Sequence, residues 1–142
     1  MARPYIPDSG REKITADAQP RCGYCLTSQL ITGMPIHLEH ILPLAAGGQS
    51  DEENLWLACP LCNGDKGIQT QFPDPETGEV VALFDPRQQI RSEHFRWNEN
   101  GVEILGITSC GRATVVALKL NNESIIRTRR RWVLAGWHPP TS

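Results

Sequence analysis

The chain has 142 residues, of which 39% are hydrophobic and 21% charged, a composition typical of an ordinary folded protein. Its formal net charge of −2 excludes a protein that coats nucleic acid by bulk charge, but is compatible with a local basic surface. No apolar run approaches the roughly 18 residues of a transmembrane helix and no apolar signal segment is present, so we expect a cytoplasmic protein with no membrane partner.

The N-terminal part of the chain predicts little regular structure. Residues 1–20 are polar and contain prolines, which indicates an extended or weakly ordered leader. Residues 26–33 fit either a helical turn or a connector. The segment MPIHLEH alternates apolar and polar residues and therefore predicts a first strand.

The next segments predict a loop, a strand and a helix. PLAAGGQSDEE contains a proline, two adjacent glycines and a polar cluster, all of which break regular structure. NLWLA predicts a second short strand. A helix should begin at Pro60, because proline is favoured at the first helical position, and should end near Gly64 or Gly67.

The C-terminal half predicts a strand, a hairpin and two helices. Residues 80–84 are an apolar run that predicts a strand, and HFRWNENGVEILGIT predicts a hairpin that turns at Asn100–Gly101. The segments RATVVALKL and ESIIRTRRRWVLAGW predict helices. We expect a single domain overall, divided into the leader 1–20, a core 21–70 and an α+β extension 71–142 that packs on the core.

Four of the five cysteines form two Cys-x-x-Cys knuckles, CGYC and CPLC. Two such knuckles are typical of a closed, tetrahedral and structural zinc site. A redox pair and buried free thiols are the alternatives, and a disulfide framework is not expected without a secretory signal. The fifth cysteine, Cys110, fits a small buried hydrophobic residue. The expected zinc ligands are Cys22, Cys25, Cys59 and Cys62.

The stretch HLEHILPLAAGGQSDEENLWLACPLCNGDKG carries several motifs in order: a Glu-His pair, a proline-bearing loop with two glycines, Asn-Leu, and Cys-x-x-Cys-Asn with a nearby lysine. In these motifs it resembles the HNH endonuclease family, over about residues 22 to 67. The resemblance implies a ββα-metal finger, and the patterns above predict the same order of elements separately. We expect an α+β fold: a ββα-metal core clamped by a four-cysteine zinc site, then a β-hairpin and C-terminal helices.

The resemblance implies roles for four residues of these motifs. His40 matches the general base, a task that suits an imidazole with an ordinary pKa near ~6.5, with a hydrogen-bonded histidine at a strand end as the alternative. Glu39 and Asn63 match two metal-ligand positions, and their oxygens suit Mg²⁺ or Mn²⁺. Asn54 matches the residue that ties the loop to the hairpin and holds the base. Because strand neighbours point to opposite faces, Glu39 and His40 serve one phosphate only if the strand ends there.

Further residues are candidate contacts to duplex DNA. Lys66 shares a helix face with Asn63 and fits a phosphate contact, with an exposed helix lysine as the alternative. His37 shares a strand face with Glu39 and fits a DNA contact or a neighbour of the site, with a surface histidine as the alternative. Four tail arginines fit contacts to the phosphate backbone, or else a solvated helix face: Arg127, Arg129, Arg130 and Arg131.

These assignments predict a metal-dependent endonuclease that hydrolyses DNA, with structural zinc and catalytic Mg²⁺ or Mn²⁺. A single finger has one such centre, so we expect a nick in one strand. The alternative is a non-catalytic, zinc-stabilised nucleic-acid-binding module, which has no use for a Glu-His pair and Asn63. A thiol redox protein is a third alternative, although neither knuckle lies in a βαβ context. The sequence indicates neither a recognition site nor an oligomeric state.

Overall fold

The structure is a computed structural model that describes residues 6–140, and the chain folds as two compact units. Among the described residues, the first unit contains 6–68 together with 85–87, and the second contains 69–84 and 88–140. None of the helices within residues 6–140 has the length and hydrophobicity that crossing a membrane takes. The prediction that both parts belong to one domain stays a prediction.

The first unit contains the predicted strand–loop–strand–helix order. Its elements are three helices and an antiparallel pair of strands: α1 (Asp8–Asp17), α2 (Gln29–Thr32), β1 (His37–His40), β2 (Leu55–Ala58) and α3 (Pro60–Lys66). Helix α3 begins at Pro60 as predicted, and it ends before Gly67, whose φ of +52° favours glycine. The predicted ββα order and the α+β class are confirmed.

The predicted extended leader is wrong for Asp8–Asp17, which is helix α1. Its Ile14 is fully buried and packs with Leu55 and Leu57 of β2 in the core of the first unit. Ala18, four residues later, is also buried on that face. Only these two apolar residues anchor the helix. Two apolar residues in a polar segment are too weak a periodic signal to predict it. Residues 1–5 lie outside the described part of the chain.

The second unit consists of two antiparallel hairpins followed by two helices: β3 (Gln71–Pro73) with β4 (Val80–Ala82), β5 (Phe95–Trp97) with β6 (Ile104–Gly106), then α4 (Ser109–Ala117) and α5 (Glu123–Leu134). The hairpin predicted at Asn100–Gly101 and both helices are confirmed. Strand β4 is shorter than the predicted residues 80–84, and its partner β3 was not predicted.

Arg129 is buried in the second unit, with no exposed surface. Its guanidinium donates to the carbonyls of Val102 at 2.9 Å and Leu120 at 2.8 Å and lies over the ring of Trp97. The prediction that Arg129 contacts DNA is therefore wrong, because all of its surface is used inside the protein. The other predicted arginines of α5 are exposed: Arg127, Arg130 and Arg131.

The ion pair between Asp74 and Arg112 should make the stability of the second unit depend on acid pH. Arg112 donates to both oxygens of the buried Asp74 carboxylate, at 2.9 and 2.7 Å, and these bonds hold the pKa of Asp74 well below its ordinary value. A depressed folded pKa stabilises the fold fully above the unfolded value of about 3.9, and this stability is lost as the pH falls further.

Asp74→Asn should therefore lower the free energy of unfolding most near neutral pH, and by progressively less as the pH falls below about 4. Urea denaturation across that range would measure the difference between variant and wild type. Glu76→Gln is the matched control, because Glu76 pairs with the same arginine but is 67% exposed. A destabilisation by Asp74→Asn that is equal at all pH values would contradict the prediction.

Candidate active site

The thiols of both knuckles meet in one cluster in the first unit. The Sγ atoms all lie within 4.8 Å of one another, and those of Cys25 and Cys59 are 3.7 Å apart. That distance is too long for a disulfide, which measures about 2.05 Å. It matches the roughly 3.8 Å between two sulfurs that bind zinc tetrahedrally at about 2.3 Å. The donor set fits zinc, with ligands as predicted: Cys22, Cys25, Cys59 and Cys62.

Backbone contacts bring the two knuckles together. The Gly23 amide donates to the Leu57 carbonyl at 2.8 Å, which fastens the first knuckle to β2. A Cβ at Gly23 would overlap the Trp56 ring, so this close approach requires glycine. Cys59 also caps α3, since its sulfur accepts from the Cys62 amide at 3.4 Å. Zinc would therefore connect the N-terminal knuckle to the β2–α3 junction, whereas a redox pair needs only one knuckle.

Glu39 and Lys66 form a buried ion pair between β1 and α3. Glu39 is 4% exposed and Lys66 is 2% exposed, with Nζ 3.4 Å from Glu39 Oε1. The same ammonium donates to the Ile41 carbonyl at 2.8 Å, just beyond the end of β1. Burial raises the pKa of Glu39, and the Lys66 charge opposes that shift.

The predicted phosphate contact of Lys66 is wrong in this structure, and so is the alternative of an exposed lysine. Lys66 is one helical turn after Cys62 of the thiol cluster, and these are the two buried residues of α3. The three-residue spacing between Asn63 and Lys66 does not by itself indicate whether Lys66 is buried or exposed. The helix therefore turns Lys66 toward β1 instead of solvent.

The remaining oxygen donors fit a hard divalent ion. Glu39 Oε2 is buried, and the Tyr24 hydroxyl interacts with this carboxylate. Asn63 is half-buried on α3, and its side-chain amide oxygen accepts no hydrogen bond from any other residue within 6–140. Carboxylate and amide oxygens are ligands that Mg²⁺ and Mn²⁺ accept. A bound ion would share the Glu39 carboxylate with the Lys66 ammonium.

Lys66→Met should lower the free energy of unfolding of the first unit by about 3 kcal/mol or more, because it leaves a buried carboxylate without its partner. Urea denaturation of the zinc-loaded protein would measure the loss. The control is Lys13→Met, whose ion pair with Glu52 is exposed and worth at most about 1 kcal/mol. The double variant Glu39→Gln, Lys66→Met should regain stability. Equal, small losses for Lys66→Met and Lys13→Met would contradict the prediction.

His40 ends β1 and points to the opposite face of the hairpin from Glu39. Its register partner is Leu55, which packs on α1, whereas Glu39 meets Lys66 of α3. The His40 ring is half-buried, with Nε2 2.8 Å from the Ser50 hydroxyl. The strand ends at His40, as the resemblance requires. The two neighbours therefore approach one phosphate only beyond the end of the strand.

Asn54 fastens both ends of the loop that follows β1. Its Oδ1 accepts from the Leu42 amide at 2.8 Å, and its Nδ2 donates to the carbonyls of Leu42 and Gln49 at 2.9 and 2.8 Å. Within this loop a Cβ at Gly48 would overlap the Leu42 carbonyl oxygen, so the tight path requires glycine. The loop that Asn54 closes leads directly into Ser50, the contact of His40.

The sequence did not predict the residues that support this site. Ser50 lies in a polar loop without a distinguishing pattern. Tyr24, inside the CGYC knuckle, is fully buried, and burial together with the Glu39 charge raises its pKa far above the ordinary value. His37 is exposed at the start of β1, as the surface alternative expected, and its DNA contact stays a prediction.

Residues 22–69 match a family model described as HNH endonuclease. The match begins at the first cysteine of the cluster and includes β1, the loop, β2 and α3, which are the elements that carry the candidate site. A search of curated proteins and a search of solved structures found no match to the chain.

Proposed function

We propose, from the match of residues 22–69 to the HNH endonuclease family model, that the protein hydrolyses phosphodiester bonds of DNA. The observation that carries the proposal is the placement of His40. It ends a strand, is half-buried, contacts Ser50 at 2.8 Å and adjoins a buried carboxylate. A histidine with only a structural role would need neither the neighbouring Glu39–Lys66 ion pair nor the loop that Asn54 closes.

In the proposed mechanism His40 accepts the proton of the attacking water. The Ser50 contact holds the ring in one orientation, and Asn54 keeps the loop that carries Ser50 closed. Glu39 and Asn63 would hold a divalent ion, whose chemistry would be charge stabilisation at the phosphate and the leaving oxygen. Lys66 holds Glu39 and the Ile41 carbonyl, so that the end of β1 keeps its position.

Zinc has a separate, structural part in the proposal. The four thiolates would hold it in a closed set, with no open position for water or substrate. One centre in one protomer would nick one strand, and a double-strand cut would need two events.

The second unit supplies a candidate surface for the DNA backbone. Arg127, Arg130 and Arg131 are exposed and spaced by three and four residues on α5, so that they lie on neighbouring positions of the helix surface. Exposed arginines bind phosphates in duplexes without reading sequence. This contact would add affinity that depends on salt but not on base sequence.

A second candidate is a zinc-stabilised binding module without catalysis. The Glu39–Lys66 pair favours it, since the carboxylate already has a cation at 3.4 Å. The two functions differ in what the purified, zinc-loaded protein does to supercoiled plasmid in Mg²⁺, Mn²⁺ or EDTA. Nicking that needs a divalent ion supports the nuclease. Retardation of the plasmid on a gel without nicking in any metal supports the binding module.

A further inference from the structure

We propose that Arg11 of α1 binds a substrate phosphate in a cavity that it shares with His40, an inference that rests on the proposed nucleic-acid function. The cavity has a volume of about 300 Å³ and lies between α1 and β1. Its walls include one guanidinium, two imidazoles and apolar side chains: Arg11, Pro35, Ile36, His37, Leu38 and His40. The sequence analysis did not single out Arg11, because it lies in the segment predicted to be a leader.

The charge of the cavity favours an anion. No aspartate or glutamate lines it within residues 6–140. Asp8 and Glu12 are exposed neighbours of Arg11 on α1, and neither forms an ion pair with it in the described part of the chain. A guanidinium presents paired N–H donors that match the oxygens of a phosphate.

Among the described residues of the first unit, Arg11 is also the lysine or arginine whose side chain has no acidic or carbonyl partner. Lys13 pairs with Glu52 at 2.8 Å, and Lys66 is buried against Glu39. The other two donate to backbone carbonyls at 3.0 and 3.2 Å: Arg21 and Arg87. Arg11 is exposed and makes no side-chain hydrogen bond or ion pair within residues 6–140.

Leu38 and His40, which share one face of β1, line the cavity together with His37 at the start of the strand, whereas Glu39 and Lys66 are not part of its lining. A phosphate held by Arg11 would thus lie on the same side as the proposed base. Lys66 cannot supply this contact because it is buried. The inference assigns phosphate positioning to a helix that precedes the matched family segment 22–69.

The test measures the binding of a short fluorescein-labelled DNA duplex to the zinc-loaded protein by anisotropy, without added Mg²⁺ or Mn²⁺ and over a range of salt concentrations. Arg11→Ala should weaken binding and reduce the slope of log affinity against log salt by about 0.9, the value for one phosphate contact. Arg11→Lys should keep the slope. Lys13→Ala is the matched control on the same helix and should leave the slope unchanged, because Lys13 faces Glu52.

An unchanged slope in Arg11→Ala overturns the inference, and so does a wild-type protein that does not bind the duplex. The plasmid assay tests the proposed function separately. If the wild type nicks plasmid but the slope is unchanged in Arg11→Ala, only the inference fails. If the slope falls by one contact but no metal supports nicking, the phosphate site stands and the nuclease function fails.

Discussion

His40→Ala is expected to lower the rate of plasmid nicking by about 10²- to 10⁴-fold, the usual contribution of a general base. The fold and the zinc content should not change, because His40 is half-buried at a strand end and is not one of the clustered cysteines. The measurement is the initial nicking rate in Mg²⁺ and Mn²⁺, with zinc content and far-UV circular dichroism determined on the same samples.

His37→Ala is the matched control for this experiment. His37 lies three residues earlier on β1 and is exposed, so its loss should reduce nicking by less than about tenfold, as expected for a group that does not transfer the proton. Ser50→Ala should give an intermediate loss, because the His40 ring would lose the contact at 2.8 Å that orients it. A His40→Ala protein that nicks at the wild-type rate, or that unfolds, would show that the assigned role is wrong.

Cys59→Ser is expected to release zinc and unfold the first unit. In zinc-finger peptides the binding of structural zinc contributes about 10–16 kcal/mol, and this is folding free energy. Cys59 is buried, joins the two knuckles through its 3.7 Å contact with Cys25, and caps α3. Serine can replace the cap but is a poor zinc ligand. Zinc stoichiometry and the thermal unfolding midpoint of the purified variant would test the prediction.

Cys110→Ser is the matched control for the thiol chemistry. Cys110 belongs to the second unit, where its sulfur contacts Gln89 at 3.9 Å, and it is not in the cluster of four. Its replacement should leave both zinc content and the unfolding midpoint unchanged. Cys59→Ser protein that retains one zinc per chain and a native midpoint would contradict a structural zinc site.

Local signals in the sequence were sufficient for the elements of the site. Proline at position 60 and glycine at 67 define α3, because each residue restricts or permits the backbone at its own position. The alternation in residues 34–40 defines β1 in the same way. The two Cys-x-x-Cys spacings predicted the cluster, because such pairs are typical of tetrahedral zinc sites, in which four thiols lie close together.

The burial of charged side chains was decided only by tertiary structure. Lys66 and Arg129 look like surface cations in sequence, yet each is buried by acceptors that are distant along the chain, such as the carbonyls of Ile41 and Val102. Helix α1 is likewise defined by the packing of Ile14 on β2 and not by its polar sequence. Sequence alone therefore determined the resemblance to the family model, the order of elements in the core and the cluster of four cysteines, because these depend on local spacing. Which cations stay exposed depended on long-range contacts, which local patterns do not contain.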